Sequence, residues 1–454
     1  SSCATRGISE MAASVFASPL YGQLFATGET GRLFTDSAEV RAMLLVEGAL
    51  AKVQGALGVI PEISGAAIHR ASLEVAIDPG ALGAATGQNG VPVPGLVAAF
   101  RAAMEAPEHA QYAHWGATSQ DIADTALMLR LRQALALAEA EIRALLGALA
   151  QAAEDHAATP MPARTYGQVA TPTSWGAVLA QWGTPLIAAL DDLPALRAAS
   201  LWVSLSGAAG TSSALGPKAT ETRAELAKAL GLKDPGHSWH TDRSPVLRIA
   251  EWMARVTATL AAMGDTLVGL TMSGIGEVTL SGAGGSSTMP QKQNPVGPSA
   301  LVALNIQMAG LRASLQTAAS HQHQRDGAAW FAEWMVLPQV VLTNACALHH
   351  ALKLAEGVNP VPARMHAALE DGLGLIHAEA LSFALAGQMP RPEAQAATKT
   401  LCKEVMDTQT PLPELAARAY PDLPQGLFDA ASQMGTAADD ARAFASRARS
   451  AAAV

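Results

Sequence analysis

At 454 residues, half of them hydrophobic, the chain is long enough for two to four domains with large cores, which excludes a disordered chain. Only 15% of residues are charged and alanine is abundant, a composition that suits closely packed helices or subunit interfaces, so an oligomer is expected. The formal charge of -9 argues against nucleic acid as the main partner. An anionic substrate must then find a local cluster of positive groups, for which Arg164, Lys292 and Arg325 are candidates.

The first ten residues, Ser1 to Glu10, precede a plausible start at Met11 and read as a leader or an added segment. Up to residue 110 the chain is interrupted by glycine and proline, as in Gln88-Asn89-Gly90-Val91-Pro92-Val93-Pro94, and reads as a smaller helical N-terminal domain. From Asp121 to Ala158 there is one glycine and no proline, with Ala126, Leu127, Leu129, Leu131, Leu135 and Leu137 on apolar faces. Such a helix runs roughly 57 Å, too long for a compact globule and suited to an elongated bundle. Further long helices are expected over 172–199, 244–273, 296–320 and 331–355, with Pro185, Pro194 and Pro338 kinking or breaking them. Residues 111–356 therefore read as a central long-helix bundle domain, and 357–454, where the pattern shortens, as a C-terminal helical domain. The expected class is all-α, in three parts.

No stretch of 18 or more purely apolar residues and no signal-peptide pattern is present, so no membrane partner and a cytoplasmic location are expected. Cys3, Cys346 and Cys402 are scattered and odd in number, which points to reduced thiols with neither a disulfide framework nor a zinc motif.

Three segments carry polar groups at expected helix starts. In His114-Trp115-Gly116-Ala117-Thr118-Ser119-Gln120-Asp121, Thr118 can cap a helix while Asp121 answers from three residues on, which by itself is a capping box. In Arg164-Thr165-Tyr166-Gly167-Gln168-Val169-Ala170-Thr171-Pro172, a cap explains Thr171 and Pro172 but not Arg164, Tyr166 and Gln168. In Gly284-Gly285-Ser286-Ser287-Thr288-Met289-Pro290-Gln291-Lys292-Gln293-Asn294-Pro295, Asn294 suits an N-cap and Pro295 the first helical position. Backbone N–H groups and the positive helix end there would hold an anion. A nucleotide-binding reading of residues 282–287 fails on spacing and on the absence of a preceding strand.

The last segment resembles the GSSxMPxKxNP signature of the fumarase/aspartase superfamily at every defined position. The other two resemble its HxGxTSxDxxDT and RTxxQxATP patterns, in the expected chain order. The resemblance covers nearly the whole chain. It implies a homotetramer with a central bundle built by all four subunits, each active site being assembled from three chains. It also places Ser286 on the catalytic acid/base, Lys292 and Asn294 on binders of the substrate carboxylate and enolate, and Thr118 and Ser119 on a carboxylate-binding pair. Gln168 falls on a binding glutamine, and His114 matches the histidine of its motif. No redox cofactor and no metal are implied, and an isolated pair such as His321 and His323 is more often structural.

One departure is informative. Amine-releasing members such as adenylosuccinate lyase carry a histidine where this chain has Tyr166. An amine leaves poorly without a proton, and losing its general acid costs about 10² to 10⁴-fold. A carboxylate, whose conjugate acid has a pKa of about 4, leaves unaided. Tyr166 therefore points to the branch that lactonises a carboxylated muconate, and His323-Gln324-Arg325 with Trp330, Glu333 and Trp334 resembles that branch's HER…W…EW pattern, with Gln324 in place of glutamate. The expected substrate is a small polycarboxylate, with Tyr166, Arg325 and His114 among the groups around it. The alternatives are an amine-releasing lyase and a crystallin-like structural protein on the same scaffold.

Overall fold

The computed structural model of the chain describes residues 14–282, 284–285, 289 and 292–453. Its fold is all-α. The five expected rods form as Ser119–Asp155, Trp175–Ser200, Ser244–Leu270, Val296–Ala318 and Gly327–Gly357. Shorter helices precede Ser119 and follow Gly357. Among the described residues, strands occur only as two-stranded pairs.

Two expectations about helix starts are corrected. Thr171 and Pro172 do not open a helix: Gln168–Ser174 is a strand antiparallel to Pro160–Thr165, with Pro172 opposite Pro162. Neither proline can donate to the ladder, and the register shifts just beyond them. The helix begins at Trp175, where the hydroxyl of Ser174 accepts the Ala177 N–H at 3.1 Å. Likewise Asn294 lies in a short strand opposite Gly284, and the helix starts at Val296 after Pro295. A three-residue strand, Val278–Leu280, does precede the glycine-rich segment, paired with Val358–Pro360. The glycine spacing there still fits neither the P-loop nor the dinucleotide-binding pattern.

Pro185, Pro194 and Pro338 lie inside helices that continue past them. An interior proline costs about 3 kcal/mol, which burial of a long apolar face offsets. Gly327–Gly357 is long and apolar enough to cross a bilayer, but 56% of its most apolar window is buried within the protein. Buried polar groups interrupt it, with Asn344 donating to the Met253 carbonyl at 3.0 Å and Thr257 Oγ1 at 3.2 Å.

The chain divides into two compact units. The first comprises the residues up to Ala140, Asp191–Ala258 and Ala303–His349. In it Asp36–Ala56 and Glu62–Glu74 approach so closely that a Cβ on Gly48 would lie 1.9 Å from Ser72 Oγ, so only glycine fits there. The second comprises Glu141–Leu190, Thr259–Val302 and the chain from His350 onward. It contains the Pro160–Ser174 hairpin and a C-terminal core of Leu381, Leu385, Leu401, Val405, Leu412 and Leu415.

Candidate active site

In the first unit the site is organised around the start of the helix Ser119–Asp155. One half of the capping box forms, the Asp121 carboxylate accepting the Thr118 N–H at 3.0 Å, while the Thr118 hydroxyl accepts from Arg325 instead. Asp121 does far more than close the cap. It is fully buried and also accepts the N–H groups of Ser206 at 2.8 Å and Gly207 at 2.9 Å, together with Nε2 of His240 at 2.8 Å. A carboxylate can only accept, so His240 carries its proton on Nε2. Thr125 pins the same loop by exchanging hydrogen bonds of 3.0 and 2.8 Å with the Ser204 carbonyl and N–H. The loop 204–207 is thus welded to the helix end.

Arg325 arrives from the connection between Val296–Ala318 and Gly327–Gly357. Its guanidinium donates to Gln120 Oε1 at 2.9 Å, Thr118 Oγ1 at 3.2 Å and the Ala208 carbonyl at 3.1 Å. All three acceptors are neutral, so its charge is oriented but not cancelled. Together with the positive end of a 37-residue helix, this makes a corner of positive potential beside Thr118 and Ser119, chemically suited to an anion. Asp326 fixes the connection by accepting N–H groups from Ala328, Ala329 and Gln322, which hold its carboxyl below the usual range, Ala329 most.

His114 sits at φ 63° with Nδ1 2.7 Å from Glu47, a residue 1% exposed. Burial works against its charged form, but the hydrogen bond and charge of Glu47, helped by Asp121, outweigh it and raise its pKa above the usual histidine value. The raised folded pKa means that protonated His114 contributes stability present in full below its unfolded pKa of about 6.5 and lost as pH rises through the higher folded value. Glu47→Gln is expected to bring the His114 titration down toward or below 6.5 by NMR and to destabilise the protein at pH 6 more than at pH 9. Equal losses in urea midpoint at both pH values would contradict this.

Behind these groups lies a buried ion network in which Asp124 and Glu333, both at motif positions, share Arg243, a residue with no signal in the sequence. Arg243 donates to both oxygens of Asp124 (2.8 and 3.0 Å) and both of Glu333 (2.8 and 2.6 Å), all three residues being almost fully buried. Burial disfavours its charge, yet Asp124 and Glu333 reverse that and raise its pKa. Gln120 connects this network to Arg325, donating to Asp124 at 3.1 Å. The EW pattern is thereby explained, since Glu333 holds Arg243 while the Trp334 ring packs 4.6 Å from that of Trp330. Burial, then the neighbouring Arg243 charge, lowers the pKa of His321, and among the described residues neither of its ring nitrogens has a hydrogen-bond partner. Among the described residues no group of three or more histidine, cysteine or acidic side chains could hold a metal ion.

In the second unit, Thr165 pairs with Gln168 across a two-residue turn of Tyr166 (φ 53°) and Gly167 (φ 74°). Positive φ at both positions is the type I′ geometry that suits the twist of a hairpin. Tyr166 is fully exposed at this tip, and Gln168 is exposed beside it. Arg164 is not a free cation, because Glu277, itself fully buried, takes both ends of its guanidinium. The glycine-rich segment is closed at its base by pairing of Gly284 with Asn294 and Gly285 with Gln293. Lys292 is exposed next to this ladder, and Ser286 lies outside the described residues.

Of the sequence-derived candidates, His114, Thr118, Ser119 and Arg325 belong to the first unit, and Tyr166, Gln168, Lys292 and Asn294 to the second. Asp121 and Asp124 stand at defined positions of the HxGxTSxDxxDT pattern, whereas Arg243 and His240 carried no signal in the sequence.

Residues 26–310 match the family described as Lyase. A 3-carboxy-cis,cis-muconate cycloisomerase of Pseudomonas aeruginosa is 36% identical over 402 residues, covering 87% of each chain. A nitrosuccinate lyase of Streptomyces davaonensis is 34% identical over 398 residues, covering 85% of this chain and 84% of its own. The crystal structure of the 3-carboxy-cis,cis-muconate lactonizing enzyme from Pseudomonas putida superposes with a TM-score of 0.88 at 33% identity, covering 96% of this chain and all of that one.

Proposed function

Because the chain belongs to the lyase family of the fumarase/aspartase superfamily, we propose that it is a 3-carboxy-cis,cis-muconate cycloisomerase. A carboxylate oxygen of the substrate adds to its own conjugated diene, closing a lactone ring. Electron density passes into a neighbouring carboxylate as an enolate-like dianion, and carbon is then protonated. No electrons are exchanged with a cofactor. Lys292, Asn294 and the N–H groups of the glycine-rich segment stabilise the dianion, the kind of contribution usually worth most. Ser286 moves the proton at carbon, its alkoxide stabilised by the cationic surroundings. Arg325, Thr118 and Ser119 hold a second carboxylate at the helix end, and His114, kept cationic by Glu47, holds another. Gln168 binds from the hairpin, and holding the reacting oxygen against the diene supplies much of the ring closure.

The observation that carries this reading is Tyr166 at the tip of its hairpin, where an amine-releasing enzyme needs an acid. The assembly is a homotetramer in which each active site draws on three chains, and the enzyme works in the cytoplasm on a small polycarboxylate, without nucleic acid or membrane. The apolar side chains of Ile306 and Met335, about 70% exposed on two of the long helices, support such subunit packing.

The likeness to a nitrosuccinate lyase favours a second reading, because nitrite, like a carboxylate, departs as a stable anion without a proton. Steady-state assays of the purified protein on 3-carboxy-cis,cis-muconate, nitrosuccinate and adenylosuccinate separate the readings, and turnover of the first at the highest kcat/KM is expected. Tyr166→Phe should retain lactonisation within about tenfold, having lost only a hydroxyl contact. A collapse of more than about a thousandfold would make Tyr166 an essential acid and undo the leaving-group argument.

A further inference from the structure

Gln54 is as deeply buried as Gln120, both being 0% exposed. Gln120 uses both ends of its amide, donating to Asp124 and the His240 carbonyl and accepting from Arg325. Gln54 uses one. Its Nε2 donates to the Trp115 carbonyl at 2.8 Å, while among the described residues its Oε1 has no hydrogen-bond partner. A carbonyl can only accept, so the orphaned end is the oxygen. A buried amide oxygen without a donor loses at least as much stability as one neutral hydrogen bond returns, so an apolar side chain of the same shape would serve the fold equally well.

The single bond holds the turn that presents His114. That turn is strained, since His114 has a φ of 63° and Gly116 one of 74°, where a Cβ would lie 2.8 Å from the Ala214 carbonyl oxygen. A histidine persists in the left-handed region only where its surroundings over-determine it. Three contacts do so here: Arg101 donates to the Ala113 carbonyl at 2.8 Å, Glu47 lies 2.7 Å from the His114 ring, and Gln54 takes the Trp115 carbonyl. Glu47 and Gln54 stand two turns apart on one face of Asp36–Ala56, so one helix fixes both the ring and the backbone beside it. We propose that Gln54 is a positioning residue, which fixes the backbone beside His114 so that the ring, held by Glu47, faces the substrate, and which lowers stability in doing so. The proposal rests on the reading in which His114 grips a substrate carboxylate.

Gln54→Met keeps the length of the side chain and removes the donor. The bond to Trp115 is only part-buried, so water can replace it. The denaturant midpoint of the variant is expected at or above that of the parent, whereas a glutamine kept for structure alone would lose stability on substitution. With 3-carboxy-cis,cis-muconate, KM should rise at least about tenfold with kcat within about threefold, as for a misplaced binding group. The charges around His114 give another readout. Burial disfavours its charged form, Glu47 and then Asp121 favour it, and Arg101 opposes them. With the ring free to leave Glu47 its folded pKa falls, so its titration by NMR should move to lower pH, and kcat/KM, which needs the cation, should begin its decline at lower pH than in the parent. A lowered midpoint, an unchanged KM or a parental His114 titration would each overturn the proposal. If the parent turned over none of the three substrates named above, the cycloisomerase reading would fail, and the midpoint and the titration would still decide the role of Gln54.

Discussion

Turnover of 3-carboxy-cis,cis-muconate by Lys292→Met is expected to fall about 10² to 10³-fold with KM changed much less, since an interaction made mainly with the developing dianion is removed. Methionine keeps most of the lysine stem's length, so the segment loses charge and little packing. The neighbouring ladder of Gly284–Gly285 with Gln293–Asn294 is backbone-made and does not depend on the substituted side chain. Ser286→Ala is expected to give a folded protein with kcat lowered at least about 10²-fold, because the proposed proton carrier at carbon is gone. The two variants fail differently. If Lys292→Met raised KM alone with kcat intact, the lysine would bind substrate and dianion equally, and the assigned stabilisation would be wrong. Near-parental turnover by Ser286→Ala would remove serine from the proton transfer.

The second large effect is on stability. Arg243→Met leaves Asp124 and Glu333 facing each other, almost fully buried, without the cation that both engage through short hydrogen bonds. Removing one member of a buried ion network costs about 3 to 5 kcal/mol, mostly as the penalty on the charges left behind. Denaturant unfolding at pH 7 should therefore show a much lower midpoint for Arg243→Met. The triple variant Asp124→Asn, Glu333→Leu, Arg243→Met, which removes all three charges, should recover more than half of the loss. A triple variant no more stable than the single one would show that packing of the guanidinium, which also lies 4.9 Å from the Trp239 ring centroid, matters more than its charge. Kinetics add a further check, because Gln120 joins this network to Arg325 and Thr118. A folded Arg243→Met should show a raised KM through misplacement of Arg325.

Much of this protein was legible in its residues, because the signals were local. The rod from Ser119 to Asp155 follows from apolar spacing and the absence of proline, and the bond from the Thr118 N–H to Asp121 that closes its start from two residues three apart. The order of three motifs was enough to expect the lyase fold that the Pseudomonas putida enzyme shares. Local signals also misled where two structures use the same residues. Thr-Pro before an apolar run suits a helix start, but pairing with Pro160–Thr165 made Gln168–Ser174 a strand. Partner choice over long separations was invisible. The motif patterns mark Asp121, Asp124 and Glu333 but not their partners: Arg243 meets Asp124 and Glu333 across 119 and 90 positions, and His240 meets Asp121. Helix periodicity selects which face of each rod is buried, but which charged groups share that interior depends on how the rods cross. A buried charge then survives only where the crossing brings it an opposite one.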